Sequence, residues 1–432
     1  MSIPTRAVVT VVLANALEFF DYFAFAVFAA YIAATFFPHD QPALSSIATF
    51  GAFATGFLLR PIGAIVLGSY ADRAGRKPAL LLTATLITAG TLGMAAIPRY
   101  ETAGIVAPIL LVLCRMIQGF AVGGEMGAAG ALLTEHCAPR RRGLYCGWLL
   151  AGQGLALAAA GVCGAVLNSQ LSVQQMGEWG WRIPFVLGAS MVPVQLWLRH
   201  SLHVPERAVS EGVRTPPLGS GGSPPPGSGG HLGGWNALVW GTLLIAGGTV
   251  PTYIATFTAP FELAGSRPTI GESFLVTIAL GTVTVLASVL GGWLSDRWGF
   301  GRIVVTARLL TVVAVVPTYL AARDGQALSF AIGIVVVTTM SCLAAAPTVA
   351  MLLMAVDPKR RAATLALIYS VGVALFGSTA PAVVASWNML ASTRMAPAWY
   401  IAVAGLAAVG AVWRVSALQA RGTGGGVKPV EA

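Results

Sequence analysis

Charge is scarce in this chain. Asp, Glu, Lys and Arg together make up 10% of its 432 residues, whereas a soluble domain carries roughly a quarter. That scarcity excludes an ordinary soluble protein. Histidine is scarce as well: His39, His136, His200, His203 and His231 are the five, and all fall in predicted loops or at the ends of apolar runs. No histidine is placed to relay a proton through a membrane, so carboxylates must carry any proton that moves. The five cysteines, Cys114, Cys137, Cys146, Cys163 and Cys342, are odd in number and lack metal-ligand spacing. This excludes a disulfide framework and a metal centre and leaves helix packing as their use. No phosphate-binding loop, nucleophile elbow or metal cluster is present, so neither an enzyme nor a bound cofactor is expected. The first apolar run is not followed by an Ala-x-Ala-like site and is expected to remain as a span.

What is abundant is apolar sequence. Hydrophobic residues are 56% of the chain and the mean hydropathy is +0.77, which defines a membrane protein. Twelve apolar runs lie near 7–37, 46–70, 79–97, 105–134, 144–168, 181–200, 235–260, 271–295, 303–322, 328–355, 362–388 and 397–415, each long enough for a transmembrane helix. With both termini placed in the cytoplasm, eighteen of the 26 Lys and Arg fall on the cytoplasmic side. Five fall outside (Arg99, Arg182, Arg267, Arg323, Arg394) and three within spans (Arg60, Arg115, Arg308). That bias is the positive-inside pattern, so the net charge of +10 reports topology and not a nucleic-acid partner.

The chain divides in two. TPPLGSGGSPPPGSGGHLGG cannot build a packed core and reads as a flexible cytoplasmic linker. The expected layout is a six-helix bundle over 1–200, a linker loop over 201–234, a second bundle over 235–416 and a disordered tail over 417–432. The halves echo each other. Gly68-Ser-Tyr-Ala-Asp72-Arg73-Ala-Gly75-Arg76-Lys77 follows the second span, and Gly292-Trp-Leu-Ser-Asp296-Arg297-Trp-Gly299 follows the eighth. Pro139-Arg-Arg-Arg-Gly143 and Pro358-Lys-Arg-Arg-Ala362 form a second pair. Such repetition is the mark of a duplicated six-helix unit, as in secondary transporters whose site lies between the halves at mid-membrane.

GSYADRAGRK resembles the loop signature of the major facilitator superfamily, and Arg115-Met-Ile-Gln118-Gly119-Phe-Ala-Val-Gly123-Gly124-Glu125 resembles the fourth-span pattern of its metabolite–proton symporter group. NALEFFDYF, GFLLRPIGAIVLGSYADRAGRK, RMIQGFAVGGEMG, EWGWRIPF and LRHSLHVPE are similar to segments of bacterial citrate and tricarballylate proton symporters. The resemblance implies an all-α membrane protein of twelve transmembrane helices in two pseudo-symmetric six-helix bundles. It implies a bacterial inner-membrane location, a monomer, and a small organic anion and protons as partners. Departures exist: the related citrate carriers have a tyrosine at the position of Thr258 and a Thr-Glu pair at Met354-Ala355.

The residues themselves suggest roles. Asn15, Glu18 and Tyr22 stand at i, i+3 and i+7 on the first span, with Asp21 one step off that stripe. A deep ionisable group is functional by default, so Glu18 or Asp21 is expected to bind the coupling proton; a permanently paired acid that locks helices together is the alternative. Arg115, Gly119 and Gly123 share a face of the fourth span. Arg115, with Gln118 one turn along, offers a fork for a substrate carboxylate, or else forms a fixed bridge to Glu18 or Asp21. Glu125, about 15 Å farther along, reads as a gate or relay acid. Arg60, before Pro61, is a second anion site or an ion-pair partner. Arg308 is expected to snorkel to the cytoplasmic surface, which leaves the C-terminal half with Tyr253, Thr256, Tyr369 and Ser370 as its candidates.

The Gly68, Asp72, Arg73, Gly75, Arg76 loop reads as a conformational latch, with Asp296 and Arg297 as its eroded copy. Two functions from different classes follow: a proton-coupled symporter of di- or tricarboxylates, and a non-accumulating exporter or sensor. A zwitterion such as betaine or proline is a third reading of the same mechanism.

Overall fold

The computed structural model describes residues 5–37, 42–74, 76–123, 139–201, 234–265, 270–356, 361–391 and 395–422. Almost all of them are helical, as a chain in lipid requires. With no water to bond, each backbone N–H and C=O must be satisfied within its own segment. Side-chain hydroxyls obey the same constraint by bonding back to their own helix, as Thr49 does to the Ser45 carbonyl (2.8 Å) and Thr277 to that of Ser273 (2.9 Å).

The first span is α1 (Thr5–Val27) continued by α2 (Ala29–Phe36), and helical hydrogen bonds run through the joint at Phe28. The second is α3 (Pro42–Leu58) and α4 (Arg60–Ala74), broken where Pro61 supplies no N–H to the ladder. Then come α5 (Arg76–Ala96), the single turn α6 (Tyr100–Ala103), α7 (Val106–Val122), α8 (Arg142–Gln170), the short α9 (Val173–Glu178) and α10 (Ile183–Ser201). The second half holds α11 (Gly234–Gly265), α12 (Ile270–Trp298), α13 (Phe300–Arg323) and α14 (Ala327–Ala355). Its eleventh span is α15 (Arg361–Gly372), a π turn over Val373–Gly377 and α16 (Ala380–Ala391), and α17 (Ala396–Gly422) is the twelfth. Among the described residues nine helices are long and apolar enough to cross a membrane, and Leu81–Ala96 and Val106–Val122 are shorter apolar helices. The fold is the twelve-helix, two-bundle architecture. Most of the expected linker (202–233) and of the tail (423–432), and the fourth span beyond 123, lie outside the described residues.

The two halves meet most extensively along α8 and α12. The seam is cut by glycine from end to end. A Cβ on Gly147 would lie 2.6 Å from the Ser288 carbonyl oxygen, one on Gly154 would lie 2.7 Å from that of Gly281, and one on Gly281 would lie 2.4 Å from the Ala158 nitrogen. These backbones approach as closely as small residues allow, which is how helices associate where no hydrophobic drive separates them from lipid. Aromatic rings close the halves elsewhere: Phe28 meets Phe274 at 5.9 Å, and Phe257 meets Phe50 at 5.8 Å and Phe53 at 4.3 Å.

EWGWRIPF ties the ends of the first bundle together. Trp181 is fully buried, edge-on to Phe36. Arg182 donates to the carbonyls of Glu178 and Ile97, and a capping box of Ser172 and Gln175 starts α9.

The seam makes a direct prediction. Gly281→Val should lower stability by roughly 1–3 kcal/mol or more, the range for overpacked interiors, while Gly410→Ala, whose Cβ meets nothing within 4 Å, should be neutral. Thermal unfolding of the detergent-solubilised protein reads the difference, and equal melting temperatures would contradict so close an approach.

Candidate functional site

A polar cluster forms where the first, third and fourth spans meet. Asp21 accepts a short hydrogen bond from Gln118 Nε2 and one of 3.3 Å from Thr91 Oγ1, and Gln118 Nε2 also reaches Thr91 Oγ1 at 2.8 Å. Arg115 Nη1 donates to Gln118 Oε1 (3.0 Å) and stands 3.9 Å from Asp21 Oδ2. The Arg115 guanidinium lies 3.9 Å over the Phe25 ring. All four polar residues are buried. Gly90 of α5 explains how α7 comes so near: its Cβ would sit 2.7 Å from Gln118 Cγ, and on the other side Gly119 packs against Gly56 of α3. Asp21 thus points into the first bundle, next to Gly188 of α10.

Glu18 faces elsewhere. It lies within electrostatic reach of Arg60 and of Tyr369 on the eleventh span. The roughly 60° between them around the helix therefore sends the two acids to different neighbours. Asn15 packs against Gly152 of α8. Tyr22 stands between the two cations, its ring centroid 4.6 Å from the Arg60 guanidinium and 5.7 Å from that of Arg115. Arg60, at the Pro61 kink, is 3% exposed and lies 4.0 Å from the centroid of the Phe57 ring.

Between the halves is a cavity of about 70 Å³, room for a handful of waters. Its walls are Gln153 and Leu150 of α8, Gly248, Thr252 and Tyr253 of α11, Thr348 of α14, Tyr369 of the eleventh span, and Arg308. Gln153 Nε2 donates to the Tyr369 hydroxyl at 3.3 Å, across the halves. Tyr253 stacks near Phe257 and meets Phe57 edge-on. Thr256 is buried, and its hydroxyl is spent on the Thr252 carbonyl at 2.8 Å. The wide π turn that follows Tyr369 packs its Gly377 against Thr249, and such bulges recur at functional sites.

Arg308 corrects the expectation that it snorkels. It is 0% exposed. Its Nη1 donates to Ser341 Oγ at 3.0 Å and to the Ser341 carbonyl at 3.3 Å. Gly248, the fifteenth residue of the 32-residue α11, lies against its Nη2, which places the guanidinium near mid-helix and inside the bundle. The C-terminal half therefore does carry a deep charge. A signal existed in the sequence: the pair Gly247-Gly248 vacates the volume that a buried arginine fills. Gln153 and Thr91 were also missed, and an isolated amide or hydroxyl in an apolar span gives no such warning.

At one end of the seam Asp296 spans the halves. Its Oδ1 and Oδ2 accept the Gly143 and Leu144 N–H groups at 2.8 and 2.9 Å, capping α8 from another helix. A Cβ on Gly143 would come 2.9 Å from Oδ1. The cap needs the carboxylate and not the two cations that Phe300 and Gly301 replace. Arg297 lies over its own Trp293 ring at 3.9 Å. Gly299 turns the chain into α13 at φ 93°, a conformation that favours glycine. Of the first copy, Arg73 is exposed, and Gly68 lies within α4. Gly75 and Glu125 lie outside the described residues, as do the side chains of Asp72 and Arg76.

A twelve-helix two-bundle fold with a charged cavity between pseudo-symmetric halves defines a secondary-transporter architecture. The model of the Major Facilitator Superfamily matches residues 11–381, and the chain belongs to that family. It is 32% identical to the citrate-proton symporter of Salmonella typhi over 94% of this chain and 92% of that one. It is 29% identical to the proline/betaine transporter of Salmonella typhimurium, over 95% and 83%. Its fold matches the xylose transporter XylE from E. coli with a TM-score of 0.72, at 14% identity, covering 95% of this chain and 97% of that one. Family and relatives make it a multi-pass membrane transport protein and not an enzyme.

Asp296→Ala should destabilise the protein by about 1–2 kcal/mol, the worth of a charged helix cap. Asp296→Asn should recover part of that through its remaining acceptor. Melting temperatures of the purified protein measure both, and an unshifted Asp296→Ala variant would show the cap to be idle.

Proposed function

We propose that this protein is a proton-coupled symporter that imports small organic anions, di- or tricarboxylates of the citrate and tricarballylate kind, by alternating access. The observation that carries the proposal is the buried set of Asp21, Gln118, Thr91 and Arg115, in which a carboxylate and a guanidinium bond the two ends of the same amide, Gln118, without locking into a close pair. Asp21, more enclosed than Glu18, takes the coupling proton. Deprotonated, it holds Arg115 through charge; protonated, it releases that guanidinium's field to a substrate carboxylate. Arg60, Tyr22, Tyr253 and Tyr369 then flank the anion, with Asn15 and Gln118 as supporting donors. Glu18 sits between Arg60 and Tyr369, where it senses the loaded site. Glu125 is the relay acid toward the cytoplasm on sequence grounds.

Asp296 and Arg297, with Gly68, Asp72, Arg73, Gly75 and Arg76, act as the latch that favours one access state. The protein works as a monomer in a bacterial inner membrane, with both termini and the 201–234 linker cytoplasmic. Its bundles occupy 1–200 and 235–416.

A second reading, proton symport of a zwitterion such as betaine or proline, has the 29%-identical relative in its favour. Two further buried cations beyond the Asp21 set weigh toward the anion, because a zwitterion brings its own positive charge.

The test is uptake of labelled citrate, tricarballylate, 2-oxoglutarate and betaine into proteoliposomes under an imposed pH gradient. At least one organic acid should accumulate, and Arg115→Ala should abolish the accumulation. Asp21→Asn should keep exchange but lose uphill transport; uphill transport at the normal level would hand the proton to Glu18 or Glu125. Accumulation that survives collapse of the gradient would end the symport claim, and accumulation of betaine alone would select the second reading.

A further inference from the structure

Among the described residues, three arginines are buried within the spans: Arg60, Arg115 and Arg308. In each, Nε and Nη2 find no hydrogen-bond partner. Those two nitrogens form one edge of the guanidinium fork, the edge that takes a carboxylate side-on with two parallel bonds. Arg115 has Asp21 for a counter-charge, and Arg60 has Glu18 within electrostatic reach. Arg308 has neither. Among the described residues its electrostatic neighbour is the Cys342 thiol, its hydrogen bonds go to Ser341, and no carboxylate pairs with it. A guanidinium held at mid-membrane without a counter-charge is costly and is retained where something else supplies the charge.

The surroundings of Arg308 form a site. It lines the central cavity. Gly248 and Gly247 leave it a slot, since a Cβ on Gly248 would stand 2.8 Å from Nη2 and one on Gly247 would stand 3.3 Å from Nε. The Ser341 bonds hold Nη1 on α14, while Nε and Nη2 lie beside the α11 glycines without a hydrogen-bond partner. The cavity wall it shares includes Tyr253 and Tyr369, and Arg60 approaches the same two tyrosines from the other half.

We infer that Arg308 is a second anion anchor, contributed by the C-terminal half, that binds one carboxylate of the substrate side-on while Arg60 on the N-terminal half binds another, so that the site selects molecules carrying two separated carboxylates. This rests on the organic-anion reading above and goes further. It names the residue that sets the substrate class, and it makes the substrate itself the cross-link between the halves. A monocarboxylate or a zwitterion engages one anchor and leaves the other bare.

The test pairs a protein change with a ligand change. Wild-type protein, Arg308→Lys and Arg308→Gln are reconstituted, and binding and gradient-driven uptake are measured for citrate, tricarballylate and glutarate, and for glutarate monomethyl ester, which lacks one charge. In the wild type, removing that one carboxylate from glutarate should weaken binding about 100-fold, as loss of a bidentate charged pair does. In Arg308→Gln the diacid should bind about 100-fold more weakly, and the monoester penalty should shrink to a few-fold. Arg308→Lys, which keeps the charge and loses the fork, should fall between. If Arg308→Gln does not fold, the same diacid-to-monoester ratio in Arg308→Lys decides. A purely structural arginine would lower the melting temperature but leave that ratio at its wild-type value, which would overturn the inference while organic-acid uptake stands. A wild type that binds none of these acids would overturn both.

Discussion

A fixed positive charge inside a low-dielectric slab is the constraint on which the rest of this structure depends. Arg60, Arg115 and Arg308 are all buried among the spans, and each is accommodated differently. Arg115 is met by an acid and an amide, Arg60 by aromatic faces, and Arg308 by a serine and a glycine slot. Cation–π contacts offset part of the desolvation of a guanidinium but leave its N–H edge unsatisfied. The three clusters are therefore only partly satisfied by the protein, and the proposed function gives the remainder to an anion. This is the condition a carrier needs, because a fully satisfied cluster would have no use for cargo.

The same economy governs how the halves meet. Hydrophobic burial cannot drive one apolar helix onto another within lipid, so α8 and α12 associate by backbone proximity along a glycine seam. Among the described residues, polar contacts between the halves include Asp296 on the α8 N-terminus at one end and Gln153 with Tyr369 at the cavity. Each can be undone without stranding a charge in lipid. Asp296 at the membrane edge can be met by water instead of by Gly143 and Leu144.

Much of the fold was legible in the sequence because lipid simplifies the code. The twelve apolar runs predicted the helices to within a few residues over most of the described chain. The GGWLSD segment carries Asp296, whose carboxylate reaches the α8 N-terminus in the other half. The family match over 11–381 agrees with the resemblance carried by the GSYADRAGRK motif. The site was less legible. Periodicity placed Asn15, Glu18 and Tyr22 on one stripe, yet the roughly 60° between Glu18 and Asp21 around the helix is enough for Asp21 to face the third and fourth spans while Glu18 reaches toward the eleventh. Arg308 was misjudged because depth was read along the chain. What holds it at mid-bundle is the neighbour that makes room, Gly247-Gly248, sixty residues away in sequence. Contacts of that range leave no local trace.

The seam between α8 and α12 has one more consequence. Helices joined by interlocking side chains resist rolling, since every knob must leave its hole. Where Gly147, Gly154 and Gly281 bring backbone against backbone there is little relief to climb, so the two bundles can pivot about that stretch, as on a plain bearing. The swing is then wider at the walls away from that axis, where Phe53 and Phe57 of the second span now touch Tyr253 of the seventh across the gap.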